Sequence, residues 1–468
     1  MPRILIAAFD GLQPSQVSAE LMPTVSALAD NGVRFLHNHA VFPTVTRGNS
    51  ASIVTGVTPG KHGLTANSSV FLDYSETEVV DALVPKLPEI NEATNGGLLF
   101  VPTLGELISE NQLKWVSIVG GTSGNAYVQH PNAAKHGDVV IHPEFSNPPE
   151  HYSAVLQKFG EWPSKEAPAA ELVKRTADVA IDYAITELDP DVLMVWFPEP
   201  DTSQHFYGID TPEVREMYSL ADAKLARILE KIRQQGDDPD VYVVSDHGYS
   251  TIDEVIDVHS ELEEAGFSPD QGDRSVICAD NHGSILLYTP TKSEELTNDL
   301  LDWLSDQEWA GAIATDLPNT VLVDEISMSD IGLAGPRSPH IAVTMRSTNT
   351  GKPAPLARSG AAAGGTIGVG SHGGGSPAEL HNMLIVSGPS FDSALSSNIP
   401  SGNIDIAPTI LTLLDITPPE HMDGRLLAEA LKHKDDESSL GGSRSPVTSS
   451  QKITKAFHAG SSYLCEFG

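Results

Sequence analysis

The sequence predicts an α/β fold built on a mostly parallel central sheet. Short apolar runs typical of buried strands alternate with longer segments in which apolar residues recur at helical spacing. That alternation is typical of a parallel sheet covered by helices. The chain has 468 residues, of which 40% are hydrophobic, so it is long enough to enclose a large core.

The first strand predicted along the chain covers residues 3–9, an apolar run that Asp10 ends. Later runs of the same kind predict five more strands, at 34–41, 114–119, 192–197, 240–245 and 382–387. The segments between the strands predict helices over 15–30, 48–55, 102–111, 168–188 and 212–234. In the fourth of these helices, apolar residues at helical spacing indicate one buried face, formed by Leu172, Val179, Tyr183 and Leu188.

The pattern changes over residues 250–370, where short predicted strands at 284–288 and 340–346 flank a predicted helix at 292–306. This change predicts an inserted α+β cap that is smaller than the main domain. Residues 355–370 are rich in Gly and Ala and are predicted to form a loop. We therefore expect a catalytic domain over 1–432, with the cap inside 250–370, and a linker-like tail over 433–468.

The chain is strongly acidic, with 28 Lys and Arg against 63 Asp and Glu and a formal net charge of −35. Such a charge repels the phosphate backbone of nucleic acids and the anionic surface of membranes, so neither is expected as a partner. The two cysteines, Cys278 and Cys465, are too few for a disulfide framework or a four-cysteine zinc site.

Neither a targeting segment nor a membrane span is expected from the sequence. The apolar run at 3–9 is short, Asp10 interrupts it, and no small-residue cleavage site follows, so we interpret it as a strand. The sequence contains no run of 18 apolar residues, and no transmembrane helix is predicted. A cytoplasmic location is the resulting expectation.

Six side chains with metal-binding chemistry stand near the ends of predicted strands. They are Asp10, Asp201, His205, Asp246, His247 and His372. Taken singly, such residues have ordinary alternatives, because an Asp after a strand is often a helix cap and an Asp–His pair four apart can lie on a surface. Taken together, they can converge where the sheet ends. Three carboxylates and three imidazoles suffice for two metal ions with open positions for a nucleophile and a substrate.

A nucleophile is predicted in the segment FPTVTRGNSASIVTG, residues 42–56. Thr46 stands where small and polar residues begin a short helix, and free backbone N–H groups at such a point favour anions such as phosphate. A nearby metal ion can lower the pKa of its hydroxyl enough for attack. The alternative is that Thr46 only caps the helix. Thr44 is the rival nucleophile, but it follows Pro43 too closely to begin the helix.

These residues lie in motifs that resemble the alkaline phosphatase superfamily, in particular its type I phosphodiesterase/nucleotide pyrophosphatase branch. The resemblance covers roughly residues 3–430 and rests, in order, on Asp10, FPTVTRGN (42–49), PDTSQH (200–205), SDHG (245–248) and SHGG (371–374). It implies a three-layer alkaline-phosphatase-like fold. It also implies two metal ions, usually zinc and with manganese as the alternative, one held by Asp201, His205 and His372 and the other by Asp10, Thr46, Asp246 and His247.

The resemblance further implies a metal-dependent hydrolase that cleaves phosphodiester or nucleotide pyrophosphate bonds of a small-molecule substrate through a phosphothreonine. It assigns Asn67, in KHGLTANSS, to binding a phosphoryl oxygen, together with the backbone N–H of Arg47. Two alternatives stay open. One is a C–P bond hydrolase of the phosphonoacetate hydrolase type, which NSASIVTG and SHGG resemble, and the other is a phosphomutase of the same superfamily.

Arg47 departs from the family pattern, in which a phenylalanine often follows the nucleophile. A guanidinium at this position pairs well with phosphate or carboxylate oxygens, so Arg47 is predicted to bind a substrate that carries an extra anionic group. The alternative is an outward arginine paired with one of the many acidic side chains.

Overall fold

A computed structural model describes residues 3–270, 272–291, 293–322, 326–432, 443–448 and 452–468 of the chain. Its centre is a nine-stranded sheet, in which five of the eight neighbouring pairs are parallel. In spatial order the strands are Leu395–Ser397, Val33–Phe35, Leu384–Ser387, Asp240–Val244, Ile4–Phe9, Val192–Phe197, Trp115–Val119, Val139–His142 and Phe145–Asn147. The predicted mostly parallel sheet is therefore confirmed.

Both faces of this sheet are covered, which gives three layers. Along the first strand, Leu5, Ala7 and Phe9 pack into one apolar cluster, and Ile4 and Ile6 pack into another on the opposite face. Successive side chains of a strand point to opposite faces, so a continuous apolar run is what a strand buried on both sides requires.

Most predicted helices are confirmed with shifted ends. The helix predicted over 15–30 is shorter than expected, because the α-helix begins only at Pro23. Proline disfavours helical geometry in the residue that precedes it. The predicted helix 168–188 changes to a π-helix over Ala180–Leu188. The α-helices are Pro23–Asp30, Thr46–Thr55, Pro59–His62, Lys86–Ala93, Leu104–Ser109, Ser123–Gln129, Ala133–His136, Glu150–Phe159, Ala170–Val179, Asp201–Tyr207, Pro212–Gln234, Val258–Glu264, Glu294–Ser305, Pro377–Leu380 and Ile406–Leu413. Within the described ranges, none of the helices combines the length and the apolar character needed to cross a bilayer.

The predicted strand 34–41 is wrong as a single element. The chain turns after Val33–Phe35 and continues as Asn38–His39, which pairs with two short strands outside the central sheet. Turn residues between the two pieces let the second piece change its partners. The remaining short strands of the main body are Ser68–Val70, Val79–Asp81, Ser250–Val255, Ser347–Asn349, Gly370–Ser371, His381–Asn382 and Ser401–Gly402.

A second, antiparallel sheet lies within the range 250–370 predicted as an inserted cap. Its strands, in spatial order, are Ile277–Asp280, Ser284–Tyr288, Ile341–Met345 and Ala310–Thr315. Together with helix Glu294–Ser305 it encloses a separate apolar cluster. The division of the chain into a catalytic domain and a cap stays a prediction.

The loop predicted over 355–370 is wrong in part, because Arg358–Ala362 is a strand that pairs with two neighbours. The small residues reflect close contact between strands. A Cβ built at Gly360 would lie 2.6 Å from the carbonyl oxygen of Arg346. At Gly360, therefore, glycine is present because a side chain does not fit beside the neighbouring strand.

The linker-like tail predicted over 433–468 is also wrong in the part that the structure describes. Ser443–Thr448, Lys452–His458 and Ser461–Phe467 form an antiparallel sheet. Phe467 is fully buried, and its ring meets that of Phe42 edge to face with centroids 5.0 Å apart. The sequences KITKAFH and SSYLCEF form a hairpin that docks on the main body. The rest of the predicted tail, 433–442 and 449–451, lies outside the described residues.

Candidate active site

The end of the central sheet brings two aspartates and a histidine together. Asp10 directly follows the first strand, and its Oδ2 accepts a 2.9 Å hydrogen bond from Trp196 Nε1. Asp246 Oδ1 accepts a 3.0 Å hydrogen bond from the backbone N–H of Gly11. The second oxygen of each carboxylate is buried and accepts no hydrogen bond from the described residues. Both of these oxygens face His247 Nε2, at 3.9 Å for Asp10 and 3.1 Å for Asp246.

A second group of ligands lies beside the first. Asp201 Oδ1 is 3.4 Å from His205 Nε2 and 3.5 Å from His372 Nε2, and those two nitrogens are 3.1 Å apart. The rings of His247 and His372 stack with centroids 3.7 Å apart, so the two groups are continuous. Asp201 and His372 are buried, and about a third of the His205 side chain is exposed. The six predicted metal ligands therefore converge.

The backbone orients all three imidazoles in the same way. The Nδ1 atom of His372 lies 2.8 Å from the carbonyl oxygen of Thr44. Nδ1 of His205 lies 3.1 Å from the carbonyl oxygen of Gly370, and Nδ1 of His247 lies 3.1 Å from that of Gly248. A hydrogen bond from Nδ1–H to a carbonyl fixes the proton there and leaves the Nε2 lone pair available. All three Nε2 atoms face the cluster, which is the arrangement that metal-binding histidines require.

The buried carboxylates of the cluster favour bound cations. Burial, followed by the nearby Asp246 and Asp201, raises the pKa of Asp10 well above its usual value. Burial, followed by the neighbouring His247 and His205, lowers the pKa of His372 well below its usual value. Burying a carboxylate without a counter-charge lowers the stability of the folded protein. One oxygen of Asp10 and one of Asp246 accept no hydrogen bond from the described residues. The donor set of carboxylate oxygen and imidazole nitrogen fits zinc or manganese.

Thr46 is the first residue of helix Thr46–Thr55, and its Oγ1 lies 3.2 Å from His247 Nε2. The predicted nucleophile is thus in contact with the ligand cluster. Thr44 is placed differently. Its Oγ1 donates to the carbonyl of Gly374 at 2.7 Å and accepts from the N–H of Gly373 at 2.9 Å, so it fixes the loop that carries His372.

Asn67 and Arg47 lie next to the nucleophile but contact each other. The backbone N–H of Arg47 donates to Asn67 Oδ1 at 2.9 Å, so this N–H is engaged and was not left for a phosphoryl oxygen as expected. Early N–H groups of a helix have no partner within the helix, and an Asn side chain often supplies one. The guanidinium of Arg47 is buried and donates to Asp81 at 2.6 Å and to the Asn67 carbonyl at 3.1 Å. Binding of substrate by these two residues stays a prediction.

Comparison with known proteins gives this site a family. A sequence model described as type I phosphodiesterase/nucleotide pyrophosphatase matches residues 4–330, which is more than half of the chain. The chain belongs to this family.

Members of the type I phosphodiesterase family among curated proteins are distant relatives. Human ectonucleotide pyrophosphatase/phosphodiesterase family member 7 is 23% identical over 255 residues, which are 54% of this chain and 48% of the human protein. The bis(5'-adenosyl)-triphosphatase of mouse is 24% identical over 272 residues, which are 57% of this chain and 52% of the mouse protein. The chain thus spans about half the length of these relatives.

Solved structures show the same fold. Human ectonucleotide pyrophosphatase/phosphodiesterase 5 superimposes with a TM-score of 0.64 at 15% identity, over 92% of this chain and 100% of that one. Phosphonoacetate hydrolase from Sinorhizobium meliloti, solved with phosphonoformate, superimposes with a TM-score of 0.62 at 19% identity, over 88% and 96%. The predicted alkaline-phosphatase-like fold is therefore confirmed.

Sequence reasoning missed three residues that support the candidate ligands. Tyr249 donates from its hydroxyl to Asp201 Oδ1, and its position two residues after His247 in SDHGY was an available signal. Trp196, which orients Asp10, is indistinguishable in sequence from any apolar strand residue. Glu379 is buried behind the His372 loop and accepts hydrogen bonds from Ser250 and from the N–H of Gly374. No local pattern in the sequence indicates a role for Glu379.

Proposed function

We propose that this protein is a metal-dependent hydrolase that cleaves phosphodiester or nucleotide pyrophosphate bonds through a phosphothreonine at Thr46. The observation that carries the proposal is the 3.2 Å contact between Thr46 Oγ1 and His247 Nε2. That nitrogen is the atom toward which the unpartnered oxygens of Asp10 and Asp246 also turn. A hydroxyl held against a cluster of metal ligands is placed to act as a nucleophile.

The ligands would hold two divalent ions, one at Asp10, Thr46, Asp246 and His247 and one at Asp201, His205 and His372. Such ions lower the pKa of a nearby hydroxyl and offset the charge of phosphoryl oxygens. Zinc is the proposed metal, and manganese suits the same donors.

The residues of the chain act in two steps. Thr46 Oγ1 attacks phosphorus, the bond from phosphorus to the leaving oxygen breaks, and the hydroxyl proton passes to solvent. Water then attacks the phosphorus of the phosphothreonine, the bond from phosphorus to Oγ1 breaks, Oγ1 regains a proton from solvent, and the phosphoryl product leaves. Asn67 keeps Oδ1 on the N–H of Arg47, so its Nδ2 is the amide donor proposed to bind a phosphoryl oxygen.

The relatives support this kind of substrate. The curated relatives are named pyrophosphatases and phosphodiesterases, and murine ectonucleotide pyrophosphatase/phosphodiesterase 5 has been solved with AMP. A second candidate is cleavage of a C–P bond. It is favoured by the buried guanidinium of Arg47 beside the nucleophile, because that group suits a carboxylate as well as a phosphate.

The test combines metal analysis with a substrate panel. Purified protein should contain about two divalent ions per chain, as a two-metal site predicts. Chelation should abolish hydrolysis and added zinc or manganese should restore it. The panel should contain a diester, a nucleotide pyrophosphate, a monoester and phosphonoacetate, with phosphoryl transfer to an added alcohol measured to detect a phosphomutase.

Two variants make the metal test specific. Asp201→Asn should lower the metal content by about one ion per chain. Asp222→Asn is the matched control, since Asp222 is an equally buried carboxylate that only caps the N–H groups of Thr24 and Val25. Full hydrolysis by metal-free protein, or equal metal loss in both variants, would refute the proposed centre.

A further inference from the structure

A cavity of about 580 Å³ opens beside the nucleophile and is not part of the ligand cluster. Arg47, the residue after the nucleophile, forms one side of it, and Gly121 forms the inner wall. A Cβ built at Gly121 would lie 3.7 Å from Asp10 Oδ2 and 3.0 Å from Asn125 Nδ2. Gly121 therefore places the wall of the cavity next to Asp10, a candidate metal ligand.

The lining of the cavity carries two cationic side chains, although the chain as a whole is strongly negative. They are Arg47, which is paired with Asp81, and Lys165, and the lining contains one carboxylate, that of Glu144. His142 is also present but neutral, since burial lowers its pKa to about 4. The chain has only 28 Lys and Arg in 468 residues and a net charge of −35, so two cationic side chains on the lining of one cavity exceed the average for this composition.

Both cations have capacity for a ligand. Arg47 uses Nη1 for Asp81 and the Asn67 carbonyl, and its Nη2 donates to no described residue. Lys165 is exposed and makes neither a hydrogen bond nor an ion pair with the described residues.

One further donor points to a ligand independently of charge. The indole N–H of Trp162, on the cavity wall, is buried and has no acceptor among the described residues. A buried donor without an acceptor is costly unless an oxygen atom occupies the site.

We propose that this cavity binds an anionic arm of the substrate, a carboxylate or a second phosphoryl group, which Lys165 and Arg47 hold through charged hydrogen bonds. The inference rests on the proposed function and narrows its substrate class to phosphoryl compounds that carry a second negative charge. Lys165 supplies the charge that selects such a substrate, since its ammonium is not already paired.

The test compares three phosphodiesters with the same leaving group and a carboxylate, a phosphate or a neutral arm. In wild type, kcat/KM should be higher for an acidic arm than for the neutral one. Lys165→Ala should reduce that preference about tenfold, as expected for a lost charged hydrogen bond. Lys165→Arg should restore most of it. Comparison of the carboxylate and phosphate arms shows which anion is preferred.

The control variant is Lys174→Ala, which removes a lysine charge from helix Ala170–Val179, where Lys174 is half-buried and pairs with Glu171. It should leave the preference unchanged. An equal preference in wild type and in Lys165→Ala, or an equal loss in Lys174→Ala, would overturn the inference even if every diester is cleaved.

A binding measurement separates the two proposals. Calorimetry with 3-phosphonopropionate and with propylphosphonate, which lacks the carboxylate, does not depend on turnover. Tighter binding of the former that Lys165→Ala abolishes supports the anionic subsite even if no diester is cleaved, in which case only the proposed function fails. Equal binding of the two ligands would count against the subsite.

Discussion

At the scale of single residues, two threonines that are two positions apart have different roles. Thr46 Oγ1 contacts the ligand cluster, whereas Thr44 Oγ1 bonds to the loop after His372. Thr46→Ala should lower kcat by roughly a thousandfold or more, because the covalent route is lost. Thr46→Ser should keep part of the activity, because a hydroxyl remains. Steady-state kinetics and mass spectrometry of the quenched enzyme measure both effects.

Thr44→Val is the matched control, because it keeps the shape of the side chain and removes only the hydroxyl. It should cost far less activity, about tenfold, through a less firmly held His372 loop. An inactive Thr44→Val variant beside an active Thr46→Ala variant would show that the nucleophile has been placed at the wrong residue.

The sequence predicted the convergence of the candidate ligands better than it predicted their surroundings. Asp10, Asp246 and His247 were found because strand ends meet at one edge of a sheet, which is a property of the fold class. The partner of Arg47 could not be found in this way. Its guanidinium meets Asp81, which a separate two-stranded sheet presents, and no local pattern relates residues 34 positions apart.

At the scale of elements, the strand Ser461–Phe467 supports the site from behind. The backbone N–H of Phe467 donates to the carbonyl of Gly375 at 2.9 Å, three residues after His372, and its ring packs on Phe42. Phe467→Ala should lower the free energy of unfolding by about 3–5 kcal/mol, as for other large-to-small core changes. Activity should fall at temperatures where the variant is still folded, since the His372 loop loses support. Denaturant unfolding and kinetics test the two parts.

Phe457→Ala is the control for that prediction. Phe457 lies on the adjacent strand Lys452–His458, and its side chain is 40% exposed. The change should cost much less stability and leave the kinetics close to those of wild type. If both variants behave alike, the buried strand does not support the site.

Elements were predicted well where the apolar pattern extends over many residues, and poorly where contacts with distant residues determine the secondary structure. Strands 192–197 and 240–245 and helix 212–234 were placed within about one residue. The strand at Arg358–Ala362 was missed because its Gly360 packs against the backbone of Arg346, a contact that is visible only in the folded chain. The hairpin in the predicted tail was missed because the linker-like composition of residues 433–450 says nothing about the alternation of apolar and polar residues in the strands that follow.

At the scale of the whole molecule, the net charge of −35 bears on stability. Like charges on one compact body repel, and dissolved salt screens that repulsion within a Debye length of about 10 Å at 0.1 M. The melting temperature of the metal-loaded protein should therefore rise when NaCl is increased from about 10 to about 200 mM. Calorimetry at constant pH measures the effect.

A matched addition of sucrose at the same osmolality separates screening from solute exclusion. Sucrose should produce a smaller rise than NaCl over this range, because it screens no charge. A melting temperature that is insensitive to NaCl would mean that the acidic residues are already paired or far apart.

The position of strand Ser461–Phe467 also has a consequence for biosynthesis. A ribosome makes Asp10 and Thr46 before the other candidate ligands, and all six candidate ligands have been made once His372 is complete. The strand that braces the loop after His372 follows much later, and its Phe467 also packs on Phe42 beside the nucleophile segment. We therefore expect a nascent chain to hold every ligand while its catalytic loop is still unbraced. Activity is then expected only after strand Ser461–Phe467 has been made and has docked.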